Sequence, residues 1–218
     1  IAKGKNVFLL NPDTILLNNA VKILSEFLDN HINVAICGGN LYTKELEPIH
    51  SYLMYLPSLY SEVDQLFGER LSFRRYGNNL FFNHTEKPLN VGYVTGADMM
   101  IRKSVLDEAG YFDPDFFMYF EETELTFRIR KMGYDVMSVP DARIIHLEGQ
   151  SVQLKEYREN MFLQSRRLYL RKTSRSRIIF LLCQIIYGIN VLIHVVYFSS
   201  FRKERELLKI WKYRLKNF

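Results

Sequence analysis

The chain has 218 residues, 48% of them hydrophobic and 14% aromatic, with a formal charge of +5. That length supports one globular domain with its own core plus an appendage. The only two cysteines, Cys37 and Cys183, lie far apart and have no metal-binding spacing, so neither a cysteine metal site nor an oxidising compartment is indicated. From Arg158 onward basic residues outnumber acids, and a basic tail of this kind meets either nucleic acid or an anionic membrane. The first residue is Ile1 and no secretory signal is visible, so we expect a piece of a longer protein.

Val7-Phe8-Leu9-Leu10 reads as a buried parallel strand that turns at Asn11-Pro12-Asp13, because proline breaks the extended run at its carboxyl end. Ligands of open α/β sheets bind beyond such strand ends, which is where Asp13 falls. A helix follows over 18–28, with Val21, Leu24 and Leu28 on one face, and then a second strand over 34–37 closed by Gly38-Gly39. Strand, helix and strand in this order make a βαβ unit. Residues 40–90 are irregular and tyrosine-rich, an excursion suited to an acceptor-side wall. The sequon Asn83-His84-Thr85 is read as chance.

A strand resumes over 91–102, broken by Gly96, where a missing side chain permits close approach of a ligand or another backbone. Ser104 with Asp107 resembles a capping box for a short helix ended by Gly110. Residues 116–128 then place Glu121, Glu122 and Glu124 behind a run in which Phe116, Phe117 and Phe120 look destined for a core. The acids open a helix that stops at Gly133. A carboxylate in a first turn faces unpaired N–H groups and the positive helix end, so it is held ionised and can serve as a general base. The competing reading is an ordinary acidic first turn, with Glu124 and Arg128 as a surface i,i+4 pair. Two strands follow, 134–140 and 142–146, with Gly149 closing the second.

A helix is expected over 152–172. Residues 178–201 carry no charge apart from His194, a length that could span a bilayer. Cys183, Tyr187, Asn190, His194 and Tyr197 form a weak polar stripe along it, and both flanks are basic. A single crossing would put one flank on the wrong side, whereas a helix lying in the interface, or a re-entrant hairpin, satisfies both. A helix of the soluble core or a partner-binding helix is the plainer alternative. The flanks lack the interleaved aromatics of a nucleic-acid platform, so no nucleic acid is expected.

Asn11-Pro12-Asp13 after a strand, the Glu121-Glu122 helix start and His146 after a late strand stand together in order. With Gly96-Ala97-Asp98-Met99-Met100-Ile101-Arg102, Ala109-Gly110-Tyr111-Phe112-Asp113, Arg128, Gly133-Tyr134 and Ala142-Arg143-Ile144-Ile145, the sequence resembles the family 2 glycosyltransferases of GT-A fold, in particular their rhamnosyltransferase-like branch, over residues 5–150. The resemblance implies an α/β fold, a partial GT-A (Rossmann-like) mixed sheet flanked by helices over 1–150. A basic helical connector over 151–177 and a hydrophobic, membrane-associated helical tail with a basic flank over 178–218 would follow.

It further implies that Asp13 ligates Mg²⁺ or Mn²⁺, with Asn11 at the donor diphosphate in place of the family's first metal-binding Asp. His146 matches a position that can add a ligand, although a histidine ending a strand can equally be a polar cap. Glu122 matches the catalytic base, normally Asp, and its extra methylene moves the carboxylate by roughly 1 Å. Glu121 would position the acceptor or the base, and Gly96, Ala97 and Asp98 would line the acceptor side. The family's first βαβ half, which holds the nucleotide, precedes the Asn-Pro-Asp turn, and only ten residues do so here. The expected function is inverting, metal-dependent transfer from a nucleotide-diphosphate sugar to a glycan or lipid-linked acceptor at the cytoplasmic face of the membrane, with a homo-oligomer left open. The competitors are a non-catalytic, membrane-anchored sugar-binding module and a structural partner whose tail docks into another membrane protein.

Overall fold

The computed structural model describes residues 2–147, 155–200 and 205–217. The strands are β1 (Asn6–Leu10), β2 (Thr14–Leu16), β3 (Val34–Tyr42), β4 (Tyr52–Leu53), β5 (Leu89–Asn90), β6 (Tyr93–Val94), β7 (Asp98–Arg102) and β8 (Asp135–His146). The helices are α1 (Ala20–Asn30), α2 (Leu59–Leu66), α3 (Arg70–Tyr76), α4 (Lys103–Ala109), α5 (Glu121–Lys131), α6 (Lys155–Thr173), α7 (Arg177–Ser200) and α8 (Arg205–Asn217). The chain divides into two units. One holds Ile1–Leu56, Ser72–Asp113 and Glu122–Ser151; the other holds Pro57–Leu71, Pro114–Glu121 and Val152–Phe218.

The first unit is a mixed sheet flanked by helices, in the order β1-β7-β3-β8-β2, with β5 also on β8. Residues 7–10 do form a strand, but an antiparallel one at the end of that order and only half-buried, not a buried parallel strand. β7 lies between β1 and β3 and is antiparallel to both, so the β1-α1-β3 crossover skips one strand. Alternation along the strands sends neighbours to opposite faces. Ile36, Met99, Ile101 and Val136 pack with Val105 and Leu106 of α4 and Leu125 and Ile129 of α5, while Cys37, Met100, Val139 and Ile144 pack with Leu24 and Leu28 of α1. Each large aliphatic side chain so buried contributes about 1.5–3 kcal/mol.

Several local expectations change under tertiary packing. Val21 points outward and Ala20 takes the inward place beside Leu24 and Leu28. Gly38-Gly39 does not close β3 but continues it, because a Cβ on Gly39 would run into the Ala142 backbone and one on Gly38 would press on Val94. The 134–140 and 142–146 runs are one strand, β8, which passes through Pro140 with a register irregularity opposite Gly38 to Asn40. The Ser104–Asp107 capping box is absent: the helix starts at Lys103, and Asp107 instead pairs with Lys103 at 2.5 Å and accepts from Tyr111. Gly110 does end it, at φ +81°. The buried Arg102 donates to the carbonyls of Leu28, His31 and Val34, and so supplies the donors that the end of α1 lacks. Residues 40–90, read as irregular, contain β4, α2, α3 and β5.

In the second unit, Glu62 of α2 and Arg166 of α6 form an ion pair at 2.5 Å, both about 5% exposed, and the guanidinium stacks on Tyr187 at 3.8 Å. Phe116 is buried, but Phe117 is 80% exposed and joins no core. The polar stripe of α7 faces inward: Cys183, Tyr187 and Asn190 are buried and His194 stacks on Trp211 at 4.0 Å, whereas Tyr197 is exposed. Ile178, Leu181, Ile185, Ile189, Leu192 and Val196 face out. With 24 residues and an apolar face turned outward, α7 is by length and composition long and apolar enough to cross a bilayer. The expected start of α6 at 152 and the closure at Gly149 lie outside the described residues.

Candidate active site

The site is assembled by hydrogen-bond ladders at one end of the sheet. After β1, residues 11–13 cross to β2, which pairs antiparallel with the end of β8 so that Thr14 lies opposite His146. Thr14 Oγ1 donates to the Asn11 carbonyl at 2.8 Å and Leu147 N–H donates to the Asp13 carbonyl at 2.9 Å, which fixes the turn from both sides. Asp13 Oδ1 then stands 3.4 Å from His146 Nε2, and Asn11 Nδ2 stands 3.3 Å from the same nitrogen. All three side chains are partly exposed. No sequence signal marks β2, a three-residue strand paired with a segment some 130 positions away, yet it is what brings Asp13 to His146.

The second half of the site joins through Ala97. Asn11 N–H donates to the Ala97 carbonyl at 3.0 Å, and Leu10 lies opposite Asp98 in the β1–β7 ladder. Gly96 faces the first turn of α5: a Cβ placed on it would lie 3.8 Å from Cβ and Cγ of Glu122. Glu122 is partly exposed, with Thr123 Oγ1 at 3.3 Å from its Oε1, and lies where first-turn N–H groups favour a carboxylate. Glu121 starts α5. Burial pushes its carboxyl above the usual range, opposed by its own N–H, and its Oε2 accepts no hydrogen bond among the described residues. The two residues before it, Tyr119 and Phe120, both have φ near +67°. Side chains of this size rarely adopt that conformation, so the entry to α5 is strained.

Asp98, read as lining the acceptor side, is wholly buried; its Oδ2 accepts from Gly39 N–H at 2.5 Å. Its carboxyl acts on the β3–β7 seam, and the open surface beside Glu122 belongs to Gly96. Burial raises the Asp98 pKa to about 7, against the lowering effect of Gly39 N–H. The unfolded value is about 3.9, so between the two the folded chain keeps a proton that the unfolded chain gives up. Stability therefore falls as pH rises from about 4 to about 7, by at most about 1.4 kcal/mol per pH unit from this group, and levels off above. Urea unfolding at pH 5, 6 and 7 should show this slope, and Asp98→Asn should flatten it; an unchanged slope in the variant would assign the dependence elsewhere.

Among the described residues no three His, Cys, Asp or Glu side chains cluster into a complete metal cage. Asp13 and His146 nevertheless converge, with the Asn11 amide beside them. A carboxylate and an imidazole fit a divalent cation whose remaining positions are filled by phosphate and water oxygens; the Asn11 group facing them is its Nδ2, a donor suited to a phosphate oxygen rather than to the cation.

The sheet order and flanking helices define a GT-A-type α/β fold. A crystal structure of GalNAc-T7 with UDP, GalNAc and Mn²⁺ matches 96% of this chain and 38% of its own, at 14% identity and a TM-score of 0.55. The family model described as "Glycosyltransferase like family 2" matches residues 1–166, and the chain belongs to that family. Among curated relatives, N-acetylglucosaminyl-diphospho-decaprenol L-rhamnosyltransferase of Mycobacterium tuberculosis is 34% identical over 67 residues, 31% of this chain and 21% of the relative. Low-salt glycan biosynthesis hexosyltransferase Agl10 of Haloferax volcanii is 31% identical over 91 residues, 42% of this chain and 29% of the relative. The chain thus matches less than a third of the length of these relatives.

Proposed function

We propose that the chain is the metal- and acceptor-side part of an inverting glycosyltransferase that moves a sugar from a nucleotide diphosphate to a glycan or lipid-linked acceptor. The observation that carries this reading is the continuous arrangement from Asp13 and His146, through Asn11 and Ala97, to Gly96 against Glu122. Glu122 takes the proton of the acceptor hydroxyl as that oxygen attacks the anomeric carbon. The bond from that carbon to the diphosphate breaks on the opposite face, and the configuration inverts. Gly96 leaves room for the acceptor beside the base, and Glu121 positions it. A divalent cation, Mg²⁺ or Mn²⁺, held by Asp13 and His146 with Asn11 alongside, would neutralise charge on the leaving diphosphate. The Mn²⁺ and UDP named with the GalNAc-T7 structure are in keeping with this, as are the sugar-transfer names of the two curated relatives.

The outward apolar face of α7 and the basic residues around it support placement at the cytoplasmic face of a membrane, where a lipid-linked acceptor would be met. In this reading 1–150 is catalytic, 151–177 connects, and 178–218 holds the membrane.

The test is turnover of a panel of UDP- and dTDP-sugars by the full-length protein with Mn²⁺, Mg²⁺ or chelator. Turnover should vanish with chelator, and Asp13→Ala should raise the metal concentration for half-activation by at least about tenfold. Turnover indifferent to chelator and to Asp13→Ala overturns the metal assignment. Metal-dependent donor binding without any turnover would make this a non-catalytic binding module.

A further inference from the structure

The helical unit contains a cavity of about 410 Å³ between α6 and α7, reached also by Asn217 at the end of α8. Its size falls in the range of small-molecule sites. Two guanidinium groups, Arg166 and Arg167, line it, and no acidic side chain does. Arg166 is buried and held rigid between Glu62 and the Tyr187 ring. Burial pushes the Glu62 carboxyl up, against the pull of Arg166, so this acid is a costly counter-ion. Arg167 is exposed and has no ion-pair partner among the described residues. Gln184 also lines the cavity; its side-chain Nε2 is buried away from solvent and has no acceptor among the described residues.

The rest of the lining includes apolar side chains: Leu163 on α6 beside the arginines, and Phe180 and Leu181 on α7. Leu181 also belongs to the outward apolar face of α7, so the cavity is continuous with the surface that faces lipid in the reading above. Two guanidinium groups beside apolar side chains that reach the outward face of α7 match one ligand chemistry. A phosphate offers several oxygens to guanidinium groups, and an attached chain can follow Leu181 along the helix. We infer that this cavity binds the phosphate headgroup of an anionic lipid, with the lipid tail lying along α7. Both an acidic phospholipid and a phosphate-linked isoprenoid carry that chemistry. The inference rests on the helical unit alone, so it and the transfer reading can fail independently.

Trp211, the sole tryptophan, packs with Leu163 and Tyr187 of the cavity and provides a local reporter. The Trp211-dependent fluorescence, taken as the difference between the full-length protein and its Trp211→Phe variant, would be titrated, without divalent ions, against four probes. These are farnesyl diphosphate, inorganic diphosphate, farnesol and dihexanoyl phosphatidylglycerol below its micelle concentration. At least one of the two lipid phosphates should bind saturably, and about tenfold or more tighter than farnesol or inorganic diphosphate; the tighter of the two identifies the source. Arg167→Ala should weaken that binding about tenfold, Gln184→Leu should weaken it less, and Arg167→Lys should retain part of it. Arg175→Ala, a basic residue outside the cavity lining, should leave it unchanged. Farnesol binding as tightly as its diphosphate would reduce the cavity to an apolar groove and overturn the inference. So would equal binding by wild type and Arg167→Ala, or an equal loss in Arg175→Ala, which would mean diffuse surface charge.

Discussion

Glu122→Gln is expected to lower the turnover number for sugar transfer by about 10²–10⁴-fold while leaving the donor KM within about threefold. The amide keeps the size of the side chain and its place against Gly96, but it cannot take a proton from an acceptor hydroxyl. Losing the charge from the first turn of α5 costs about 0.3–1 kcal/mol, too little to unfold the protein, so circular dichroism should be unchanged. Donor hydrolysis and transfer would be followed with saturating Mn²⁺. A turnover number within tenfold of wild type would remove Glu122 from the base's role. Glu121, whose carboxyl burial already raises, would be examined next. Glu122→Asp, which restores the acid usual in the resembling family, should stay active and so separate loss of charge from loss of shape.

Arg128→Met is expected to destabilise the fold by about 3–5 kcal/mol. Glu124 and Arg128 were legible as an i,i+4 surface pair; the pair forms, and Arg128 is partly exposed, but Glu124 is buried. Glu124 is 6% exposed, and Arg128 Nε lies 2.9 Å from both of its carboxylate oxygens. The remaining guanidinium nitrogens donate to the carbonyls of Ala109, Gly110 and Tyr111, so one side chain ties the end of α4 to the middle of α5. Removing the cation leaves a buried carboxylate uncompensated. Replacing both, Glu124→Leu with Arg128→Met, should recover much of the loss, because the pair itself gains little over apolar packing. Denaturant unfolding of the two single variants and the double variant measures this. A loss under about 1 kcal/mol in Arg128→Met would show the clamp to be dispensable.

Punctuation residues made much of the catalytic half legible. Pro12 fixes a turn wherever it stands, Gly110 and Gly133 end their helices at positive φ, and the acids at 121 and 122 do open α5. What stayed hidden depends on partners distant in sequence. β2 is too short to show a period and exists because residues 144–146 are there to pair with it. Gly38-Gly39 looked like a stop and is a strand because Ala142 and Val94 come too close for side chains. Asp98 looked like a site carboxylate and is a buried acceptor for Gly39. The left-handed pair Tyr119-Phe120 runs against local preference, so no propensity argument would have found it.

The Thr14–His146 rung also governs how such a chain can change length. One residue added or lost within 11–13, or near the end of β8, would slide that rung and send the paired side chains to opposite faces of the sheet. An insertion among residues 84–88, between the short helical turn ending at Leu80 and β5, meets no such ladder; it opens the local turn that Asn83 and Thr85 hold to Lys87 and adds the slowly growing entropy of a longer loop. Insertions and deletions are thereby steered away from the Asp13–His146 pair and toward the loops around it. Descendants of this chain could exchange acceptors by remodelling those loops while inheriting the same spacing between carboxylate and imidazole.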